Sequence, residues 1–225
     1  MLRKLIIQTT IWFAAMAALL FVPAGTLAWP QAWVFLIEMA GSGIAICAWL
    51  YIHDRALLAQ RLASPVQRDQ PRWDRIFLIG LIAYFVVWLA LMGLDAVRFQ
   101  WSHFPVWAQA IGALALLWTN YVFWRVFRAN SFAAPVVKIQ HERGHRVVTT
   151  GPYAIVRHPM YAGAIGLALG TPLLLGSWIG LALGFIMVGA LGYRAAREEA
   201  TLAAQFPENA DYAARVRYRL VPLVW

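Results

Sequence analysis

The chain has 225 residues, of which 62% are hydrophobic types and 13% are charged types. Soluble domains carry roughly a quarter charged residues, so this composition excludes an ordinary water-soluble enzyme and a disordered linker. The single cysteine, Cys47, excludes an internal disulfide scaffold. The composition predicts an all-α, polytopic membrane protein.

The uncharged or nearly uncharged stretches predict the membrane-spanning helices, because one span needs about 20 apolar residues. Single spans are predicted near residues 5–26, 31–52, 76–95 and 104–126. The last uncharged run, 159–193, is interrupted by Pro172 and by Gly176–Ser177, which predicts a hairpin of two short helices. We therefore expect about six transmembrane helices, four of them in residues 1–130 and the hairpin in 131–225.

The basic residues indicate how these spans are oriented. If the N-terminus lies inside, all of the 19 lysines and arginines except Arg98 fall in inside segments. Because cytoplasmic loops are enriched in these residues, both termini are expected in the cytoplasm, as in a multi-pass protein of a bacterial or archaeal inner membrane. These loops also explain the net charge of +9, and no nucleic-acid-binding motif accompanies it. The alternative, a cleaved signal peptide over residues 1–28, does not explain the second apolar run that follows at once.

Glu38 is an ionisable residue inside the second predicted span. A carboxyl group at that depth is protonated, paired with another group, or in contact with water. We expect a neutral Glu38 that is hydrogen-bonded to a neighbouring helix. The alternative is a place in a lateral substrate cavity.

The densest group of polar side chains lies in residues 138–163, a loop that leads into the hairpin. Gly151–Pro152 and His158–Pro159 favour turns, and Pro159 suits the first position of a helix. The free N–H groups at such a helix start can bind an anion. The loop therefore predicts a polar pocket at the inner membrane edge that contains Tyr153, His158 and Tyr161. The alternative is a basic loop that rests on anionic lipid headgroups.

Three histidines of this loop, His141, His145 and His158, are candidate metal ligands. Gly144 and the β-branched residues that follow it disfavour the helix that would align His141 with His145. No cysteine or inward-facing aspartate completes a ligand set, so no metal site is expected.

A second polar cluster, Arg194-Ala-Ala-Arg197-Glu198-Glu199, follows the hairpin directly. Arg194 and Glu198 stand four residues apart and would share one face of a helix. The alternative interpretation is a surface helix with an ordinary ion pair. Farther along, apolar residues from Leu202 to Tyr218 alternate with arginines, which predicts an amphipathic C-terminal helix on the cytoplasmic side that closes over the loop.

In these two clusters the sequence resembles the isoprenylcysteine carboxyl methyltransferase family, whose membrane fold is similar to that of phospholipid N-methyltransferases. The resemblance covers roughly residues 138–219, and the first spans match only in hydropathy. Its ordered parts are Val147-Val148-x-x-Gly151-x-Tyr153, Arg157-His158-Pro159-x-Tyr161-x-Gly163, the apolar hairpin, and Arg194-x-x-x-Glu198-Glu199-x-x-Leu202, followed by Phe206 and Tyr212.

The resemblance implies a membrane-embedded methyltransferase that uses S-adenosyl-L-methionine and a lipophilic or lipidated acceptor. The cofactor contacts that it implies are Gln140, His145, Arg146, Val147, Val148, Tyr153, His158, Pro159, Met160 and Tyr161. Arg194 and Glu198 would form the catalytic, substrate-side pair. In the resulting hypothesis Arg194 orients a carboxylate acceptor, Glu198 fixes Arg194, and tyrosines with one or more tryptophans surround the sulfonium.

Three other functions remain open at this point. Phospholipid or amine N-methylation would need a base, which Glu198, Glu199 or His158 would provide. A membrane reductase with a nicotinamide cofactor is disfavoured, because no additional arginine pair suits a 2′-phosphate. A non-enzymatic transporter or structural membrane protein would leave the ordered clusters unexplained. The sequence by itself determines neither the acceptor nor the oligomeric state.

Overall fold

The computed structural model describes residues 2–67, 70–206 and 208–225, and the regular structure of these residues is entirely helical. The α-helices in chain order are α1 (Leu2–Ala24), α2 (Pro30–His53), α3 (Arg55–Arg61), α4 (Arg72–Gly93), α5 (Val106–Ala129), α6 (Pro159–Leu175), α7 (Trp178–Gln205) and α8 (Asn209–Arg215). Helices α1, α2, α4, α5 and α7 are long and apolar enough to cross a membrane, and α6 is a shorter apolar helix. The expected all-α, polytopic membrane fold is confirmed.

The six longest helices alternate in direction, and their connections define two ends of the molecule. At the end that we call outer, Gln31 at the start of α2 donates to Gln109 at the start of α5, at 3.0 Å. At the end that we call inner, Arg194 in the second half of α7 donates to Asp74 at the start of α4, at 2.9 Å. The short helix α3, which follows α2, and the long loop 130–158 both lie at the inner end.

Small residues let α5 and α6 approach closely. A Cβ atom added to Gly112 would lie 2.3 Å from the Leu174 backbone nitrogen. Farther along the same pair of helices, the Thr119 hydroxyl donates to the Gly163 carbonyl at 3.0 Å. Contacts of this kind stabilise helix pairs in membranes, where burial of apolar surface provides little driving force. They place the first half of α6 beside the second half of α5.

Helix α7 packs against α4 through two long-range hydrogen bonds. The Trp88 indole donates to the Gly180 carbonyl at 2.7 Å, and the Tyr84 hydroxyl donates to the Leu183 carbonyl at 2.6 Å. Both tertiary bonds lie in the outer part of α7. They hold the two helices in the relative position that brings Arg194 to the start of α4.

The predicted hairpin is present, but two of its details were wrong. Pro172 does not interrupt α6, which continues to Leu175, and the turn occurs at Gly176, where φ is +80°. Proline is tolerated inside a membrane helix when neighbouring elements compensate for the missing N–H group. The second arm is not short: α7 has 28 residues and extends far beyond Tyr193.

The predicted C-terminal helix is also shorter than expected. Helix α7 continues to Gln205, and only Asn209–Arg215 form a further helix. Phe206 precedes a proline in the sequence and has an extended backbone, with φ −125° and ψ 102°, because the residue before proline avoids helical angles. As predicted, the C-terminal segment contacts the loop: the N–H groups of Arg157 and His158 donate to the carbonyls of Tyr218 and Arg219, both at 2.9 Å.

Candidate functional site

A cavity of about 210 Å³ lies at the inner end, between the loop 130–148, the start of α6 and the inner part of α7. All of the predicted site residues except Gln140 line it: His145, Arg146, Val147, Val148, Tyr153, His158, Pro159, Met160, Tyr161, Arg194 and Glu198. The structure therefore brings both predicted clusters to one place, although they are separated by the whole hairpin.

Gln140 is fully buried but does not reach the cavity. Its side-chain amide donates to the Phe132 carbonyl at 2.9 Å, and its Oε1 atom accepts from the Arg143 guanidinium. These bonds connect two parts of the loop. Gln140 therefore stabilises the loop that forms the cavity wall. It does not line the cavity, in contrast to the direct cofactor contact that the resemblance implies.

His145 is part of an aromatic roof over the cavity. Its ring stacks on Phe132, with centroids 4.6 Å apart and an interplanar angle of 21°, and it also contacts Phe206. The Nδ1 atom accepts the Gln140 backbone N–H at 3.3 Å. Burial, assisted by the nearby Arg143 guanidinium, lowers the pKa of His145. The ring is therefore neutral at pH 7 and contributes flat apolar surface to the site.

His158 presents an unsatisfied nitrogen at the start of α6. Pro159 occupies the first position of α6, as predicted. The Nε2 atom of His158 is buried and has no hydrogen-bond partner among the described residues. It lies 3.8 Å from Glu199 Oε2, which is too far for a hydrogen bond. Because buried polar atoms are rarely left unpaired and His158 lines the cavity, this nitrogen is a candidate ligand contact.

Tyr153 is held firmly in the cavity wall. Its hydroxyl accepts from the Asn130 side-chain amide, and its carbonyl accepts from the Tyr212 hydroxyl, both at 2.8 Å. Burial raises the pKa of the Tyr153 phenol well above its usual range, and it raises that of Tyr212 to about 12. Both phenols are therefore neutral at physiological pH, and Tyr153 contributes a fixed aromatic surface.

Arg194 is fixed by Asp74, and the expectation that Glu198 would fix it was wrong. The Arg194 Nε atom donates to Asp74 Oδ1 at 2.9 Å, and Nη2 donates to the Pro135 carbonyl at 2.8 Å. Glu198 instead accepts from the Tyr161 hydroxyl. Asp74 is fully buried, so its charge requires a close cation, whereas Glu198 is satisfied by the phenol on α6. The Nη1 atom of Arg194 has no hydrogen-bond partner among the described residues.

Sequence reasoning missed Asp74, which organises this side of the site. Besides Arg194, it accepts from the Gln70 side chain at 2.7 Å and from the Val137 backbone N–H at 2.9 Å. In the sequence it lies between Arg72 and Arg75, just before the predicted span 76–95, and this pattern indicates only where a span begins. The available signal was the same charge pattern, but nothing in it identifies a partner 120 positions away.

Glu199, which the sequence suggested only as a possible base for N-methylation, anchors the C-terminal segment. Its Oε2 atom accepts from the Nε atom of Arg219 at 2.7 Å, and its Oε1 atom forms an ion pair with the Nε atom of Arg157 at 3.0 Å. Arg157 also donates to the Val216 and Arg217 carbonyls, at 2.7 and 2.8 Å. These bonds close one side of the cavity with residues from three separate segments.

Two further expectations differ from the structure. The aromatic residues that line the cavity are Phe132, Tyr153, Tyr161, Phe206 and Tyr212, and no tryptophan lines it within the described part of the chain. The two tyrosines of the expected aromatic wall are present, and the expected tryptophan is not among the described residues that line the cavity. Glu38 does not form the expected hydrogen bond: its Oε2 atom is buried without a partner among the described residues.

Known proteins are similar to the part of the chain that forms this cavity. The family model described as phospholipid methyltransferase matches residues 107–209. The protein-S-isoprenylcysteine O-methyltransferase of Schizosaccharomyces pombe is 32% identical over 98 residues, which are 43% of this chain and 42% of that protein. The chain thus matches less than half the length of this relative. The predicted resemblance to these membrane methyltransferases is confirmed for the C-terminal half of the chain.

Proposed function

We propose that the protein is an integral membrane methyltransferase that uses S-adenosyl-L-methionine to methylate the carboxylate of a lipophilic acceptor. The observation that carries this proposal is the single cavity that residues 145–161 and 194–198 enclose at the inner end. It contains an arginine held in one orientation by a buried aspartate. The same residues lie inside the region that matches known methyltransferases.

The lining of the cavity fits the chemical groups of the methyl donor. The N–H groups at the start of α6 suit the carboxylate of its methionine part, and His158 Nε2 offers a further polar contact. The rings of Phe132, Tyr153 and Phe206 suit its adenine and its sulfonium. When bound, S-adenosyl-L-methionine supplies a methyl group that is activated for attack by a nucleophile.

The aromatic roof is expected to move when a ligand enters. The cavity of about 210 Å³ is smaller than most ligand pockets, which enclose roughly 300–1,000 Å³. Phe132 and His145 belong to a loop without long helices. Local opening of this loop therefore requires less free energy than opening of the helices around the cavity. We therefore expect the loop 132–148 to open for binding and to close again, excluding water from the site.

Arg194 is the residue proposed to orient the acceptor. Its Nε and one hydrogen of Nη2 are engaged by Asp74 and Pro135, which leaves the Nη1 hydrogens and one on Nη2 for a ligand. These hydrogens match the two oxygens of a carboxylate. A carboxylate is already ionised at pH 7, so the protein has no proton to remove and contributes mainly by positioning.

The two ends of the molecule suit the two substrates. Lysine and arginine side chains are concentrated at the inner end, which we propose is cytoplasmic. A polar donor would then enter from the cytosol, through the loop. A lipophilic acceptor would approach from the bilayer with its carboxylate at the membrane edge, where Arg194 lies.

The proposal is tested by binding and turnover of the full chain purified in detergent. Calorimetry with S-adenosyl-L-methionine is expected to show micromolar binding that weakens at least tenfold in His158→Ala, since this variant loses a ligand contact. Arg194→Lys keeps a cation beside Asp74 but loses the planar fork. It should retain donor affinity and lose about a hundredfold in turnover of a small S-prenylated cysteine with a free carboxylate.

The matched control is Arg197→Lys. Arg197 lies on the same helix, contacts the Trp73 ring and does not line the cavity, so this variant should keep both binding and turnover. Absence of donor binding by the wild-type protein would refute the proposed methyltransferase activity. Full turnover by Arg194→Lys would refute the proposed role of Arg194 but not the proposed methyltransferase activity.

A second candidate function is N-methylation of a phospholipid amine, which the description of the matching family favours. An amine acceptor must lose a proton, and Glu198 is the available carboxylate because two arginines already engage Glu199. Phosphatidylethanolamine in vesicles and the S-prenylated cysteine, offered in parallel, distinguish the two functions. Methylation of the amine alone would replace the carboxylate proposal.

A further inference from the structure

Two adjoining depressions lie on the surface of α5 and α6, outside the candidate site. An apolar groove of about 660 Å³ follows the seam between the helices, and the chain segment Leu220–Pro222 lines its inner end. A shallow pocket of about 520 Å³, lined by Trp124, Arg125 and Arg128, adjoins this groove. Tyr121, Arg125 and Pro152 line both depressions, which makes them one continuous feature, here named the α5–α6 groove.

The inner end of the α5–α6 groove carries two exposed cations. The Arg125 guanidinium donates to the Tyr121 hydroxyl at 2.8 Å, and the Arg128 guanidinium lies 4.7 Å from the Trp124 ring centroid. Within residues 2–67, 70–206 and 208–225, no carboxylate forms a salt bridge with either arginine. Aromatic neighbours thus position both cations without neutralising them.

The surroundings indicate that this end of the groove lies at the level of the lipid headgroups. Tyrosine and tryptophan are enriched at that level in membrane proteins, and Tyr121, Trp124 and the two arginines lie within the last three turns of α5. The apolar side chains of Ile155 and Val221, which line the same groove, are exposed. Their exposure is unfavourable in water but suits contact with acyl chains.

We propose that the α5–α6 groove binds one anionic phospholipid of the bilayer. An acyl chain lies in the apolar part, and the phosphate contacts Arg125 and Arg128. The occupant follows from charge complementarity: the groove ends at two cations that lack an anionic partner, and basic pockets between helices at the membrane edge recognise anionic headgroups. A zwitterionic lipid would fill the apolar part equally well but would carry no net negative charge to the arginines.

Binding of this lipid would also support the candidate site indirectly. Leu220 and Val221 line the groove, and the preceding residue, Arg219, donates to Glu199 beside the cavity. A lipid that packs against residues 220–222 therefore stabilises the segment that closes one side of the cavity. The proposal does not depend on which acceptor the cavity serves.

Native mass spectrometry of the full chain, released from nanodiscs, tests the proposal. The nanodiscs contain phosphatidylglycerol, phosphatidylcholine or a mixture of the two, with identical acyl chains. We expect one retained phosphatidylglycerol that competes against phosphatidylcholine, and about thirtyfold weaker retention in the double variant Arg125→Gln/Arg128→Gln, which loses two phosphate contacts. Ala162→Phe, which fills the apolar part of the groove, should also weaken retention.

The matched control is the double variant Arg72→Gln/Arg215→Gln, which removes equal charge from exposed positions at the inner end outside the groove. It should retain phosphatidylglycerol like the wild type. Equal losses in both double variants would show attraction to a generally basic surface and would overturn the proposal. So would equal retention of the two lipids, or a loss caused by Ala162→Phe but not by the arginine substitutions.

Discussion

Two fully buried aspartates, one near each end of α4, differ in the partners that they bind. Asp74 at the inner end pairs with Arg194, and that arginine lines the candidate cavity. Asp95 at the outer end lies in a π-helical extension of α4, Leu94–Arg98. Its Oδ2 atom accepts from neutral groups, the hydroxyls of Ser102 and Ser177 and the Ile179 backbone N–H, and its Oδ1 atom has no partner among the described residues.

The difference shows how one residue type serves two purposes. Around Asp95 the hydroxyls and the Ile179 N–H connect the end of α4 to the start of α7, so the cluster holds the hairpin turn against α4. Around Asp74 a cation balances the charge, and that cation retains hydrogens for another ligand. The buried pair at the inner end therefore holds a cation at the wall of the candidate cavity, whereas the cluster at the outer end only connects helices.

The largest effect is expected for Asp74→Asn. It leaves the buried Arg194 guanidinium without a counter-charge, and breaking such a pair costs about 3–5 kcal/mol of unfolding free energy. Thermal and denaturant unfolding in a mild detergent would measure the loss. Turnover of the acceptor by the surviving folded protein should fall as well, because the orientation of Arg194 is lost.

The control for this prediction is the double variant Asp74→Asn/Arg194→Met, which removes both charges. Most of the unfolding free energy should return, because no uncompensated buried charge remains, while turnover stays absent. If the single and double variants were equally unstable, the ion pair would not be the reason for burying Asp74.

A smaller effect is expected for Asp95→Asn at the outer end. The amide keeps one oxygen for the surrounding donors, so the loss should be about 1–2 kcal/mol of unfolding free energy. Donor affinity and turnover, measured as for Asp74→Asn, should be unchanged. A loss of donor binding in Asp95→Asn would contradict the interpretation that Asp74 supports the candidate site and that Asp95 only connects helices.

The smallest effect concerns pH and is confined to the inner end. The pKa of His145 is lowered by burial from its ordinary value of 6.5, so the folded loop binds fewer protons than the unfolded chain. His145 therefore supports loop stability above about pH 6.5, and this contribution falls as the pH decreases below that value. Hydrogen exchange of the backbone amides of 140–145 is measured at pH 7.5 and 5.5. After correction for intrinsic exchange, the opening equilibrium of the loop should be larger at the lower pH.

His145→Phe is the matched variant for the pH experiment, because it keeps an aromatic ring between Phe132 and Phe206 and cannot be protonated. Its loop should show the same opening equilibrium at both pH values after correction for intrinsic exchange. Equal pH dependence in the variant and the wild type would assign the effect to another group.

The helices could be predicted closely, because an apolar run is a local property of the chain. The predicted spans near 31–52 and 104–126 correspond to Pro30–His53 and Val106–Ala129. The hairpin turn at Gly176–Ser177 followed from residues that favour turns. By contrast, the interruption expected at Pro172 is absent, since the tolerance of a helix for proline depends on its neighbours.

Most cavity residues could also be predicted, because the resemblance to known methyltransferases includes their order and spacing. Their partners could not. Glu198 was expected to bind Arg194, four positions away on the same helix, but it accepts from Tyr161 on another helix. Gln140 was expected in the cavity and instead braces the loop. In both cases tertiary packing brings the partner within hydrogen-bonding distance, and the local sequence pattern does not show this partner.

The sequence by itself determined that this is a helical membrane protein, where its helices run and which two clusters carry its polar chemistry. These properties depend on composition and on neighbouring residues. Only the tertiary structure decided that Asp74 holds Arg194, that Glu199 anchors the C-terminal segment and that two arginines end an apolar groove. The physical reason is that a charge buried near the membrane needs a compensating partner within a few ångströms. Helix packing supplies this partner from a residue that is far away along the chain.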